Sequence, residues 1–377
     1  MQAIGHAYHR LQFSTCRARG NRMCWEAAAC CWLGRGGSPQ PPAGDRGSRA
    51  PSRTLLAVPE PDPEAEEAVL QDGVFWSSWL ERLLRPARFP EAEGRAWQAA
   101  ARAARVLALE RGCGRSSNRR AVLSDGSRAC VRLGINPEQI QGEALSFQLA
   151  RLLGVGNVPP VALARVGGPL WAPVQDEVRR AQWPPGAIVS LTPWIHNLTG
   201  GVVPPAALRA GGLEPRGAGL QNRSRAELLE LVQWTDLIVF DYLTANFDRL
   251  VSNLVSLQWD RRVMERGTSN LHRRPGGGLV FLDNEAGLGH GYRLRSTWDR
   301  YNEPLLRSVC LFRRPTAAAV AELHRRRDAP QRLRTLYLQR EPLAAELGFL
   351  APEHARHLQS RIDLLHGHIA HCRAKYG

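Results

Sequence analysis

Lysine is all but absent from this chain. Among 377 residues and 50 Lys and Arg, the one lysine is Lys375, close to the C-terminal end. A phosphate-facing cation inside the fold must therefore be an arginine, which is not interchangeable with an ammonium. Long apolar runs are missing too. The stretch Met23 to Leu33 is short, interrupted by Glu26 and rich in cysteine. It falls well below the roughly 18 apolar residues of a membrane span and does not read as a signal peptide. No pair of cysteines has CxxC spacing, which argues against a structural zinc site.

What is present is a chain long enough for one large domain or two lobes, 44% apolar and able to bury a core. The net charge of +15 raises a nucleic-acid or membrane-surface partner. The arginines are spread along the sequence without an aromatic-interleaved motif, so no nucleic-acid partner is expected, and a basic nucleic-acid-binding protein stays as an alternative. Of eight cysteines, four lie in the body: Cys113, Cys130, Cys310 and Cys372. Four cysteines allow three connectivities. Their count and spacing favour Cys113 with Cys130 and Cys310 with Cys372. Together with the sequons at Asn197 and Asn222, this points to a secretory compartment.

Residues 1–68 read as a disordered low-complexity tail, Gly, Pro, Ser and Arg being unable to bury enough surface to offset chain entropy. Strands are predicted at Val106 to Glu110, Ala121 to Leu123, Arg128 to Leu133, Ile188 to Leu191 and Leu279 to Leu282, with an Asp125-Gly126 hairpin turn. The small-residue loop Arg111 to Arg120 suits phosphates lying beneath it, with Ser116 and Asn118 as candidate contacts. Asn136-Pro137 opens a helix, Gln139 completes its cap and Gly154 ends it. Ile140, Ala144 and Phe147 share a face, and the Glu143 carboxylate projects near it and wants a cation; the bland alternative is a Glu at the rim of the stripe, reaching solvent. Ser224 to Glu227 is a capping box, followed by a helix that is apolar nearly all round and should be buried. From Thr316 to His371 the pattern is helical and amphipathic.

That buried helix runs into a polar turn carrying Asp248 and Asn253, spaced as in a protein-kinase catalytic loop. A strand ending in Asp283 follows, as kinases place a metal-binding Asp. Asp248 would orient the attacking hydroxyl, while Asn253 and Asp283 would hold Mg²⁺ or Mn²⁺. Glu143 would hold the strand-three cation. The bland alternative is a solvated turn in which Asp248 pairs with Arg249.

Three segments, GINPEQIQGEALSFQLARLLG, ELVQWTDLIVFDYLTANFDRLVSNL and LVFLDNEAGLGHGY, closely resemble the Four-jointed box proteins over about residues 70–377. The resemblance implies an α+β, bilobal, atypical protein-kinase-like fold, with an N-lobe over 69–195 and a helical C-lobe over 196–377. It implies a Golgi-lumen or secreted Ser/Thr kinase using ATP and Mn²⁺ or Mg²⁺, acting on cadherin repeats of Fat and Dachsous type. Asp283-Asn284-Glu285 matches the family's Asp-Asn-Glu motif, Asp248 its catalytic Asp and Glu143 its helix-C Glu. Where related kinases keep a strand-three Lys, this chain has Arg132, so a secreted pseudokinase is the first rival. The family normally carries a signal-anchor helix. Membrane association is expected only through a missing or unrecognised N-terminal anchor.

Overall fold

The computed structural model describes residues 68–84, 88–216 and 219–377. The expected tail, but for its last residue, lies outside the described residues.

Strands β1 (Val106–Glu110), β2 (Arg119–Leu123) and β3 (Arg128–Arg132), close to the predicted positions, form an antiparallel meander. Gly126 takes φ +82° in the β2–β3 turn, and Asp125 Oδ1 accepts the Ser127 N–H at 2.9 Å. With β4 (Ala162–Arg165) and β5 (Ile188–Pro193) they make one antiparallel sheet in the order β1-β2-β3-β5-β4. Its apolar core includes Leu109, Leu123, Val131, Val189, Trp171 and Trp183.

Two helices precede the sheet, α1 (Ser78–Leu83) and α2 (Glu91–Ala103). Helix α3 (Pro137–Leu153) starts as predicted, Asn136 accepting the Gln139 N–H at 3.2 Å, and ends at Gly154 with φ +68°. Gln139 reaches one residue further back than expected, accepting the Ile135 N–H at 2.7 Å. Gln139 to Ala150 are all buried, so Glu143 does not sit at the rim of a stripe. Neighbouring elements cover the helix on every side, because it packs into a second, larger core with the C-terminal helices.

Helix α4 (Arg225–Thr244) begins with the full Ser224–Glu227 capping box and is buried from Leu231 to Thr244. Burying its Trp234, Leu237, Ile238 and Phe240 contributes roughly 1.5–3 kcal/mol per side chain. Then come α5 (Leu250–Ser256) and the hairpin β6 (Leu271–Arg273) with β7 (Leu279–Phe281). The remainder is helical: α6 (Arg295–Arg307), α7 (Arg314–Arg326), α8 (Ala329–Arg340) and α9 (Pro352–Tyr376). The molecule is thus a small sheet part with a larger helical part, the α+β layout expected. Both expected disulfides, Cys113–Cys130 and Cys310–Cys372, are formed. Among the described residues no helix is long and apolar enough to cross a membrane.

Candidate active site

The site is built where α4 and β7 deliver their ends to one place. Helix α4 stops at Ala245, in the left-handed region at φ +53°. Asn246 then shapes the turn, its N–H donating to the Asp241 carbonyl at 2.9 Å and its Oδ1 accepting the Asp248 N–H at 2.9 Å. Asn270 fixes the Asp248 carboxylate, donating to Oδ2 at 3.0 Å. Strand β7 is aligned by a buried amide network. Asn157 donates to the Leu279 carbonyl and to Gln233 Oε1, both at 2.9 Å, and Gln233 accepts the Leu279 N–H at 2.7 Å. Past the strand, Asp283 turns the chain at φ +56°, a conformation that Asp tolerates better than most residues.

The solvated pair of Asp248 with Arg249 is not what forms. Arg249 is fully buried, and its Nε donates to the two Asp241 oxygens at 3.1 and 3.0 Å. Its Nη1 donates to the Leu282 carbonyl at 2.8 Å. Asp248 is left to face Asp283. Burial and the like charge of Asp283 push its carboxyl up to about 7, against the pull of Arg249 and Asn270. Burial, and then Asp283, push Glu285 up to about 8.

Arg132 forms an ion pair with Asp283. Burial opposes its charge, but Asp283, Glu143 and Glu285 more than offset that and raise its pKa. Glu143 is 2% exposed. Burial raises its carboxyl, while Arg132 and the Asn284 N–H act the other way. The structure therefore brings Asp248, Asp283, Arg132 and Glu143 together, with Glu285 added.

Asn253 lies in α5, buried, and its Nδ2 has no hydrogen-bond partner among the described residues. The backbones of Ser116 and Asn118 hold the loop, and the buried Asn118 Oδ1 has no hydrogen-bond partner among the described residues. The Ser116 carbonyl accepts from Arg119, and the Asn118 N–H donates to the Arg115 carbonyl at 2.9 Å. The loop residue that reaches the acidic cluster is Arg115, in an ion pair with Glu285. Sequence reasoning passed over it as one arginine among several. Its usable signal was the scarcity of lysine, which leaves only arginines to do this work.

Three crowded carboxylates, Asp248, Asp283 and Glu285, with the charge of Asp283 raising the proton affinity of the other two, fit a divalent cation, which would relieve that repulsion. Buried Glu143 Oε2 and Glu285 Oε2 have no hydrogen-bond partner among the described residues. Oxygen donors of this type suit Mg²⁺ or Mn²⁺.

The small sheet, the inward Glu143 helix and this carboxylate cluster define a protein of the kinase-like class. Among solved structures, the Golgi casein kinase with Mn/ADP bound superposes with a TM-score of 0.51 at 11% identity, covering 78% of this chain and 81% of that one. The likeness is one of fold. The Four-jointed box protein middle domain matches residues 92–375, and the chain belongs to that family. Four-jointed box protein 1 of Homo sapiens is 62% identical over 340 residues, 88% of this chain and 77% of that protein. The extracellular serine/threonine protein kinase four-jointed of Drosophila melanogaster is 33% identical over 380 residues, 86% of this chain and 64% of that protein.

Proposed function

We propose that this protein is a secretory-pathway Ser/Thr protein kinase that transfers the ATP terminal phosphoryl group to cadherin repeats of the Fat/Dachsous type, in planar-polarity and growth signalling. The observation that carries the reading is Asp248 held by Asn270 beside Asp283, next to a buried Glu143 and Arg132. Its relatives support the class, one a Ser/Thr kinase and the other, a structural neighbour, a Golgi kinase holding Mn and ADP.

In this reading Asp248 receives the hydroxyl proton of the substrate, and Asn270 fixes the angle of its carboxylate. Asp283 and Asn253 hold the divalent cation, which when bound neutralises phosphate charge. Arg132, kept in place by Glu143, contacts the phosphates. The lobe boundary is taken at residues 195/196.

The test is radiolabel transfer from ATP to a purified cadherin-repeat protein with Mn²⁺, comparing wild type with Asp283→Ala and Asp248→Ala. Wild type should label Ser or Thr, and each variant should lose at least about a hundredfold. Equal labelling by wild type and Asp283→Ala overturns the reading.

One observation favours a second reading. Arg132 pairs directly with Asp283, so the carboxylate meant for metal is already engaged. A pseudokinase that binds a partner without transfer would keep this pair. It predicts nucleotide binding with no incorporation under any metal.

A further inference from the structure

Three arginines border the carboxylate cluster, and only one of them is free to change partner. Arg249 is 0% exposed and held by Asp241 and the Leu282 carbonyl. Arg132 is 8% exposed and rises from the middle of the sheet. Arg115 stands on the loop between β1 and β2, and its side chain is 34% exposed. It acts electrostatically on Asp248 as well as on Glu285. Lys375, the one lysine, pairs with Glu214 at 3.5 Å on the last helix.

The loop is built to keep Arg115 there. Gly112 and Gly114 take φ +110° and +76°, values that strain any other residue. Between them Cys113 is bonded to Cys130, two positions before Arg132 on the same strand. Beyond Arg115, the Ser117 carbonyl accepts the Trp183 indole N–H at 2.9 Å. The loop is thus tied on both sides of Arg115, covalently on one. Glycine-rich phosphate loops are usually mobile, whereas this one is fastened to the strand that carries the other phosphate-facing cation.

From this geometry we infer that Arg115 is a nucleotide-phosphate ligand, paired with Glu285 until a metal–nucleotide complex enters and then exchanged onto the terminal phosphates, the Cys113–Cys130 disulfide keeping it in reach. The inference rests on the kinase reading above. A guanidinium suits phosphate oxygens because its two N–H groups can bind them together. Glu285 gives up its Oε1 contact with Arg115 in the exchange. Its buried Oε2 already has no hydrogen-bond partner, and a cation on Asp283 would take up the charge that Arg115 leaves. The disulfide makes nucleotide affinity depend on an oxidising compartment.

The full chain is titrated with ATP, ADP and adenosine in the presence of Mn²⁺, by calorimetry, and Arg115→Ala, Arg115→Gln and the double variant Cys113→Ser/Cys130→Ser are compared with wild type. Both Arg115 variants should bind ATP about tenfold or more weakly, the loss expected for one charge-assisted contact. ADP should be affected less and adenosine not at all. The double cysteine variant should weaken ATP in the same direction. Arg115 variants that bind ATP like wild type overturn the inference. So does an equal loss for ATP and adenosine, which would mean that the loop has merely collapsed. Wild type binding no nucleotide at all would instead overturn the kinase reading, and the inference with it.

Discussion

Arg249 and Asp241 form a fully buried ion pair that joins the end of α4 to the turn holding Asp248. The same guanidinium donates to the carbonyl of Leu282, one residue before Asp283. One cation therefore sets the spacing between the two carboxylates of the site. Removing it leaves Asp241 buried without its counter-charge, which costs about 3–5 kcal/mol. Arg249→Ala should lose stability of that order in chemical denaturation. A loss below about 1 kcal/mol would show that the pair is not structural.

Helix α3 touches the turn after Asp283 without a side chain between them. A methyl group added at Gly142 would lie 2.9 Å from the Gly287 carbonyl oxygen and 3.2 Å from that of Glu285. Both neighbours are backbone and cannot swing aside. Gly142→Ala should move Glu143 and Asp283 apart, costing about 1–3 kcal/mol of stability and tenfold or more in transfer rate. Thermal unfolding beside initial-rate measurements checks it; unchanged rates would show that the helix has room to shift.

Arg132 separates a working site from a silent one. Arg132→Ala leaves Asp283 and Glu143 facing each other with no cation between them. Metal-free stability should fall by about 3 kcal/mol or more, and Mn²⁺ should restore much of it. Arg132→Lys keeps the charge but not the fork, so nucleotide affinity should stay within about tenfold of wild type. If Arg132→Ala is as stable as wild type without metal, the pair is incidental.

Protons and metal should stabilise this site in the same sense, each relieving the repulsion among its carboxylates. Folded Asp248 lies near 7 and Glu285 near 8, for burial and then for the charge of Asp283. In the unfolded chain carboxyls titrate near about 4. Between these values the folded protein binds more protons, so stability falls as pH rises. The contribution of these two groups is full below about 4 and gone above about 8. Without divalent cation, the melting temperature should therefore drop as pH is raised from 5 to 8. Mn²⁺ should flatten that slope, and Asp283→Ala should reduce it without metal. A melting temperature that rises over this range in metal-free buffer would contradict the arrangement.

The local rules were written plainly in the chain. Ser224 and Glu227 cap α4 because the capping box needs only four consecutive residues. Gly154 ends α3 and Gly126 turns the hairpin because positive φ is cheap for glycine. The spacing of Asp248 and Asn253, and the strand that ends in Asp283, are likewise features of a few adjacent residues. The family resemblance marked the same positions.

What lay outside that reach were the partnerships between distant segments. Asp248 lies 22 residues from Asn270, and Arg115 lies 170 from Glu285. No periodicity connects such pairs. The sequence by itself determined which residues begin, end and bury each element, because those depend on backbone conformation and hydrophobic spacing. Only the tertiary structure decided that Arg249 would turn inward to Asp241 rather than pair with Asp248, and that Arg132 and Arg115 would divide Asp283 and Glu285 between them. Charge acts through space, and which charges meet is fixed only once the sheet and helices have packed.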